Sequence, residues 1–511
     1  MLHLTKAQKE THWSGWVATA LGIMWLALFP LWQDGSFTRI THSKWMGMLV
    51  LTAVTAAAGI RMIAGLVRRG EYRQQVRLGA VHALALAYFL LVAASAIFGT
   101  WADYLNESNQ LTVLWGAKRY EGLYTQLCYA AVFLCMSLQA VRIDRVLDAA
   151  GDTLLLFCVI VCLQYFGINV LGLFPEGRSI RTNYEFQGTI GNIDMVSGYV
   201  SIVMSALLGG FVKLRQGSWL WLVSGLAGIL LMLCIEVQSG LIVVAMLLFC
   251  LLLLALHDPL ARWRTMLVLG GSLLLVTARL LTGLPWLDGV DALTFPHAPA
   301  AWKLLPALFG LACIAGAALL HRYPGRAMRL RFVALTACLL LLAVLAAAYL
   351  APLPTGSGAW EIQELLHGRP QDAYGSERIG IWRLTLEMSR SSLLFGTGPD
   401  TFLYAMEDHM FQTGQSLAQR FDNPHNMLLS ILSNNGLPAL LAFVLLCGWA
   451  VISGLRRCWQ DGLLVPMLLG CGCYLAQGMF TFSICLVTPM FWAALGMLTA
   501  QVYDRKEEMC P

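Results

Sequence analysis

Charge is scarce in this chain of 511 residues. Asp, Glu, Lys and Arg make up 12% of it, about half the ~25% usual in a soluble protein. Lysine is absent between residues 352 and 424, and no Asp, Glu, Lys or Arg lies near the midpoint of any expected span. Ion-coupled transporters usually keep such groups at mid-membrane to bind the coupling ion, so the transporter class loses ground. A Walker A sequence is missing, and with it any sign of ATP hydrolysis. No internal repeat, low-complexity tract or soluble-domain linker breaks the chain, which reads as one integral domain, 1-511. All of the fourteen cysteines except Cys458 and Cys510 lie in or at the ends of apolar runs. They form no disulfide framework, and Cys471-x-Cys473 reads as core rather than zinc ligands.

Apolar residues are what the chain has in excess, at 58% with a mean hydropathy of +0.66. A membrane span takes about 20 apolar residues, so fourteen spans would use roughly 280. That excludes a soluble enzyme, a disordered scaffold and a single-anchor receptor. The fold class expected is all-α: a polytopic integral membrane protein of about 14 (12–14) transmembrane helices with one long, partly helical outer loop. Spans are expected at 13–32, 45–65, 76–98, 122–141, 151–173, 192–212, 218–235, 240–256, 265–281, 302–320, 332–351, 437–453, 462–480 and 484–502. The first is followed by Gln33-Asp34-Gly35 rather than a cleavage site, and it reads as a retained span.

Basic residues set the sidedness. With the N-terminus in the cytoplasm, most of the 34 Lys and Arg residues fall in inside loops, so both termini are expected to be cytoplasmic. The net charge of +5 adds little, and nothing points to nucleic acid.

The long outer segment, 352–436, contains Arg369, Arg378, Arg383, Arg390 and Arg420. Arginine without lysine suits planar, bidentate recognition of phosphate or carboxylate; ordinary pairing with the nine acids of 352–424 explains it equally well. In a helix over 377–394, Arg378 would have Gly375, Tyr374, Ile381 and Trp382 as neighbours, none of them acidic. Arg383 and Arg390 flank Glu387 and are expected to pair with it. Arg378 is therefore the arginine left over for a ligand. His425 stands just before a span, where imidazole could take a proton from a hydroxyl near neutral pH or simply anchor the helix. Asn426 could orient that ring, but capping is the better account. In another outer loop Arg178 and Arg181 precede Asn192 and Asp194, which are placed to cap a span and complement its dipole. Lys118, Arg119 and Glu121 look like a charged lip. Glu407-Asp408-His409 reads as solvated loop rather than a metal site.

Three stretches resemble the bacterial O-antigen ligase/O-antigen polymerase family. They are Gly188–Val200, GTIGNIDMVSGYV; Arg378-Ile-Gly-Ile-Trp382 with Phe395-Gly-Thr-Gly-Pro-Asp-Thr-Phe402; and Asn423-Pro-His425-Asn426 with Leu432-x-x-Asn435-Gly436-Leu437. Gly116–Tyr129 is similar to a loop of some members, so the family-like region covers about 110–500. Two departures stand out: Asp194 replaces a second Asn, and Ser239-Gly240 stands where many members carry Ser-Arg, so another arginine must serve. The resemblance implies a glycosyltransferase at the outer face of the bacterial cytoplasmic membrane, moving a glycan from a polyprenyl-diphosphate carrier to a glycan, lipid or protein hydroxyl. It implies His425 as base and Arg378 on the diphosphate, with substrate contacts from Arg181, Arg178, Arg119, Asn192 and Asn426. Inversion at the sugar is expected, with no metal and no cofactor. A polymerase of lipid-linked repeats and a protein O-glycosyltransferase are rivals of the same chemistry. A lipid or polysaccharide transporter is the rival of another class.

Overall fold

The computed structural model describes residues 6–70, 76, 78–106, 109–138, 141–174, 187–235, 237–282, 304–322, 356, 358–415 and 421–504. Their regular structure is entirely helical. Among them eight helices are long and apolar enough to cross a membrane: α2 (Ile40–Arg69), α3 (Ala80–Phe98), α5 (Ile143–Tyr165), α6 (Ile193–Lys213), α8 (Gln238–His257), α9 (Pro259–Thr282), α10 (Leu305–Arg322) and α14 (Met427–Arg457). Four apolar helices are shorter: α1 (Lys6–Ile23), which runs on through a π turn, α4 (Leu123–Ser137), α7 (Trp219–Ile235) and α15 (Val465–Gly478). The last expected span is α16 (Thr488–Asp504), buried for almost its whole length. The expected span at 332–351 lies outside the described residues, so a count of fourteen is not established.

Two boundaries differ from expectation. Helix α5 starts at Ile143 rather than 151, because its early acids project outward and do not interrupt backbone hydrogen bonding. One of them, Asp148, accepts from the Trp221 indole at 2.9 Å. Asp152, expected at the first turn of a span, therefore lies near the middle of a helix. Helix α14 starts at Met427 rather than 437, so the His-Asn end of the long loop is itself the mouth of a helix.

The core gathers around α6, which is buried along its entire hydrophobic length. Small residues make that possible. A Cβ on Gly209 would stand 2.8 Å from the Leu469 side chain, and one on Gly210 would stand 2.7 Å from that of Leu147. Helices α5, α7, α8, α9 and α15 close around it. Within 352–436 lie three further helices, α11 (Gly358–Leu366), α12 (Arg378–Ser389) and α13 (Phe402–Thr413). Ile381, Leu384 and Met388 of α12 pack with Phe402, Ala405 and Met406 of α13 into a small apolar core.

A kink in α14 ties that loop to the spans. Gly436 sits at φ 83° inside the helix, two residues before Pro438. Proline has no N–H for the Asn434 carbonyl, and the glycine breaks the turn before it. The freed carbonyls find new donors. Asn434 O accepts from Gly398 N at 2.8 Å and from the Ser95 hydroxyl at 2.8 Å. Ser433 O accepts from Thr397 N at 2.8 Å, and Leu437 N donates to Leu393 O at 2.7 Å. This approach needs Gly396 (φ 66°), where a Cβ would fall 2.4 Å from the Asn434 backbone. The Gly-x-Gly turn and the Asn-Gly step are thus two halves of one joint.

Candidate active site

The segment Asp422–Asn426 is fixed from both sides. The Asn426 carboxamide oxygen caps α14, accepting from Leu428 N (3.0 Å) and Leu429 N (3.1 Å), while its amide nitrogen donates to Met479 O at 3.0 Å. The capping account of Asn426 is the one the geometry shows, and nothing ties its side chain to the His425 ring. From the other side the Trp382 indole donates to Pro424 O at 2.9 Å. The Arg-x-x-x-Trp helix is thereby latched to the Asn-Pro-His-Asn segment.

His425 occupies the left-handed region, at φ 48°, a conformation that a histidine tolerates better than most residues. Its backbone N–H donates to the Asn423 side chain at 2.9 Å. Its ring stands edge-on to Phe421 (5.9 Å) and Phe482 (5.3 Å), and its Nδ1 is buried without a hydrogen-bond partner. Burial depresses the imidazole pKa to about 4, and the charges of Arg378 and Arg119 depress it further against the pull of Asp422. At neutral pH the ring is uncharged and able to accept a proton.

Arg378 opens α12. Its Nη1 donates to Gly375 O at 3.2 Å, while its Nε is buried with no partner. No carboxylate lies within ion-pair distance of it among the described residues. The arginines expected to pair with Glu387 do otherwise: Arg383 reaches Asp372 at 2.5 Å, and Glu387 instead accepts from Gln415 at 3.4 Å. The two partners lie eleven positions apart, a pairing made by the turn before α12 and invisible to helical spacing.

Arg119 is no loose lip. It grips Asp422 with two hydrogen bonds, 2.7 Å from Nε and 2.6 Å from Nη2, and lies 3.9 Å over the Phe482 ring. Burial would raise the Asp422 pKa, but the bonds and charge of Arg119 prevail and hold it below the usual range. Glu121 is also no lip residue. It is buried, accepting from the Tyr129 hydroxyl at 2.6 Å and from Gln126 at 3.1 Å, and burial lifts its pKa to about 8. Asp400 accepts from Ala117 N (2.6 Å) and Glu121 N (3.2 Å), and burial lifts its pKa to about 6. Under the Arg119–Asp422 pair opens a cavity of about 720 Å³, mouth included, into which both acids face. His425 and Arg378 do not line it. They border it through Phe482 and the shared charges.

Asn192 caps α6, accepting from Asp194 N (2.9 Å) and Met195 N (3.3 Å). The α6 entry is joined to the His-Asn segment through Gln477, whose amide donates to Asp194 O at 3.0 Å. Arg178 and Arg181 lie outside the described residues. At Ser239-Gly240 the missing arginine has a steric cause: a Cβ on Gly240 would sit 2.8 Å from the Met232 sulfur and 2.9 Å from the Ser197 hydroxyl.

Asp400, Asp422 and Asn435 were not singled out from the sequence as site residues. Asp400 and Asn435 stand inside quoted motifs, but Asp422 meets Arg119 across 303 positions, and no local pattern signals that.

No curated protein matches the chain. A family model described as O-antigen ligase matches residues 306–444, a stretch that contains Arg378, the Gly-x-Gly turn, His425 and the kink. Taken with its spanning helices, the chain is a multi-pass membrane protein carrying an O-antigen ligase domain of the ligase/polymerase family.

Proposed function

We propose that this protein is a metal-independent, inverting glycosyltransferase at the outer face of the bacterial cytoplasmic membrane. It takes a glycan from a polyprenyl-diphosphate carrier and joins it to an acceptor hydroxyl. One observation carries the reading. A neutral imidazole with a buried, unpartnered nitrogen is acted on by two arginine charges, one of them with a buried, unpartnered Nε. Such cations in a water-poor site suit a diphosphate, and such a ring suits proton removal from a hydroxyl.

In this mechanism Arg378 and Arg119 bind the diphosphate, with Arg181 and Arg178 in support, and stabilise the charge that grows on it. Arg119 takes the part left empty at Gly240. His425 accepts the acceptor's proton as its oxygen forms a bond to the anomeric carbon. The carbon–oxygen bond to the diphosphate breaks on the opposite face, its electron pair leaving on phosphate, and the sugar inverts. A diphosphate is a good leaving group and needs no general acid. A lipid-linked repeat or a protein hydroxyl as acceptor would use the same residues.

Sidedness is tested by cysteine tags. Tags at 365 and 415 are expected to react with an impermeant maleimide from outside, and one at 327 is not; the reverse pattern would overturn both orientation and site. The arginine clamp also predicts transfer that survives a chelator. Complete loss, restored by one specific divalent ion, would return Glu407, Asp408 and His409 to consideration.

A further inference from the structure

The cavity beneath the Arg119–Asp422 pair has walls of two kinds. On the membrane side, Tyr88 of α3 and Trp492 of α16 stand as a nearly parallel ring pair, with centroids 5.9 Å apart at 23°. Facing them are polar groups: the Glu121 and Asp400 carboxyls, and the Asn435 carboxamide at the kink of α14. Asn435 is 7% exposed, and its carboxamide oxygen is buried with no hydrogen-bond partner. An amide oxygen held dry and unpaired is costly unless something fills the space beside it.

The chemistry of the walls selects the occupant. Two carboxyls repel an anion, so the diphosphate belongs with the arginines and not here. An acyl chain would leave Asn435 unsatisfied. A neutral ring rich in hydroxyls and with an apolar face meets both kinds of wall. We propose that this cavity is a carbohydrate subsite. In it the pyranose ring next to the donor's diphosphate sets hydroxyls against Asn435 and Glu121 and its apolar face against the Tyr88–Trp492 wall. Arg119 links the two compartments, since it lines the cavity and its charge also acts on His425. A diphosphate on the arginines would therefore bring the adjoining sugar to the cavity mouth. Burial gives Glu121 a pKa of about 8, so it carries a proton at neutral pH and offers a donor as well as an acceptor.

This inference rests on the glycan-transfer reading, and the test separates the two. Full-length protein in nanodiscs is titrated with polyprenyl diphosphate alone and with the same lipid carrying its glycan. Wild type should bind the glycan-bearing lipid about tenfold more tightly, the scale of one or two buried hydrogen bonds. Asn435→Ala should lose most of that preference while its affinity for the bare lipid is unchanged. Ser483→Phe, which fills the mouth from a loop position, should lose it too and guards against misfolding at the kink. In transfer assays both variants should raise KM for the glycan-bearing lipid with kcat nearly constant. Equal binding of the two lipids by wild type, or a preference kept in both variants, overturns the subsite and points to ordered water alone. Should wild type discriminate between the lipids but His425→Ala transfer at full rate, the catalytic reading fails and the subsite stands.

Discussion

His425→Ala is expected to stop glycan transfer while the protein stays folded and inserted, so that lipid-linked glycan accumulates. A positioned general base contributes about 10²–10⁴-fold in rate, and no other imidazole is placed to replace this one. The ring makes few structural contacts: its edges meet Phe421 and Phe482, and its Nδ1 bonds to nothing. What holds the segment is the Asn426 cap, the Trp382–Pro424 bond and the backbone N–H on Asn423. The left-handed backbone at 425 costs alanine roughly 1–2 kcal/mol, so His425→Asn is the companion variant. Asparagine accepts that backbone readily and cannot act as a base. Transfer at wild-type rate by purified His425→Ala or His425→Asn would end the general-base assignment. Failure of both variants to accumulate in the membrane would make His425 an anchor of the helix instead.

The same residue predicts a pH signature. Its pKa is depressed to about 4, first by burial and then by Arg378 and Arg119. The base works only when neutral, so kcat/KM, which reports the free enzyme, should fall as pH drops through about 4. A bound diphosphate cancels the two arginine charges and lifts the imidazole pKa, which also makes it a better base. The acid limb of kcat, which reports the loaded enzyme, should therefore lie at higher pH than that of kcat/KM. Coincident limbs would show that the arginines and the substrate do not share the site.

Hydropathy located the spans because burying apolar residues over a fixed membrane thickness leaves a regular trace in the chain. It misplaced α5 and α14 because helix ends depend on caps and hydrogen bonds, which apolar runs do not record. His425, Arg378 and the caps at Asn192 and Asn426 were legible from local pattern and resemblance. The Arg119–Asp422 clasp was not, nor was the burial of Glu121, since both arise from contacts across hundreds of positions. Gly436 and Pro438 were visible as residues. That their freed carbonyls would be met by Thr397 and Gly398 became visible only in three dimensions.

Arg378→Lys and Arg383→Lys, measured together, separate a phosphate clamp from a mere positive charge. Lysine keeps the charge of Arg378 but lacks the planar fork able to bridge two phosphate oxygens. The Nε buried without a partner is part of that fork, and lysine has no counterpart there. Loss of one charge-assisted hydrogen bond costs about 1.5–3 kcal/mol, or roughly ten- to a hundredfold in rate. Arg383 is the matched control on the same helix. Its partner Asp372 is about half exposed, as is Arg383 itself, so screening limits the pair to at most about 1 kcal/mol. At equal expression Arg378→Lys should therefore transfer far more slowly, with weaker inhibition by inorganic diphosphate, while Arg383→Lys stays close to wild type. Equal impairment, or a worse effect at Arg383, would move the donor's diphosphate away from the start of α12 and take the proposed charge stabilisation with it.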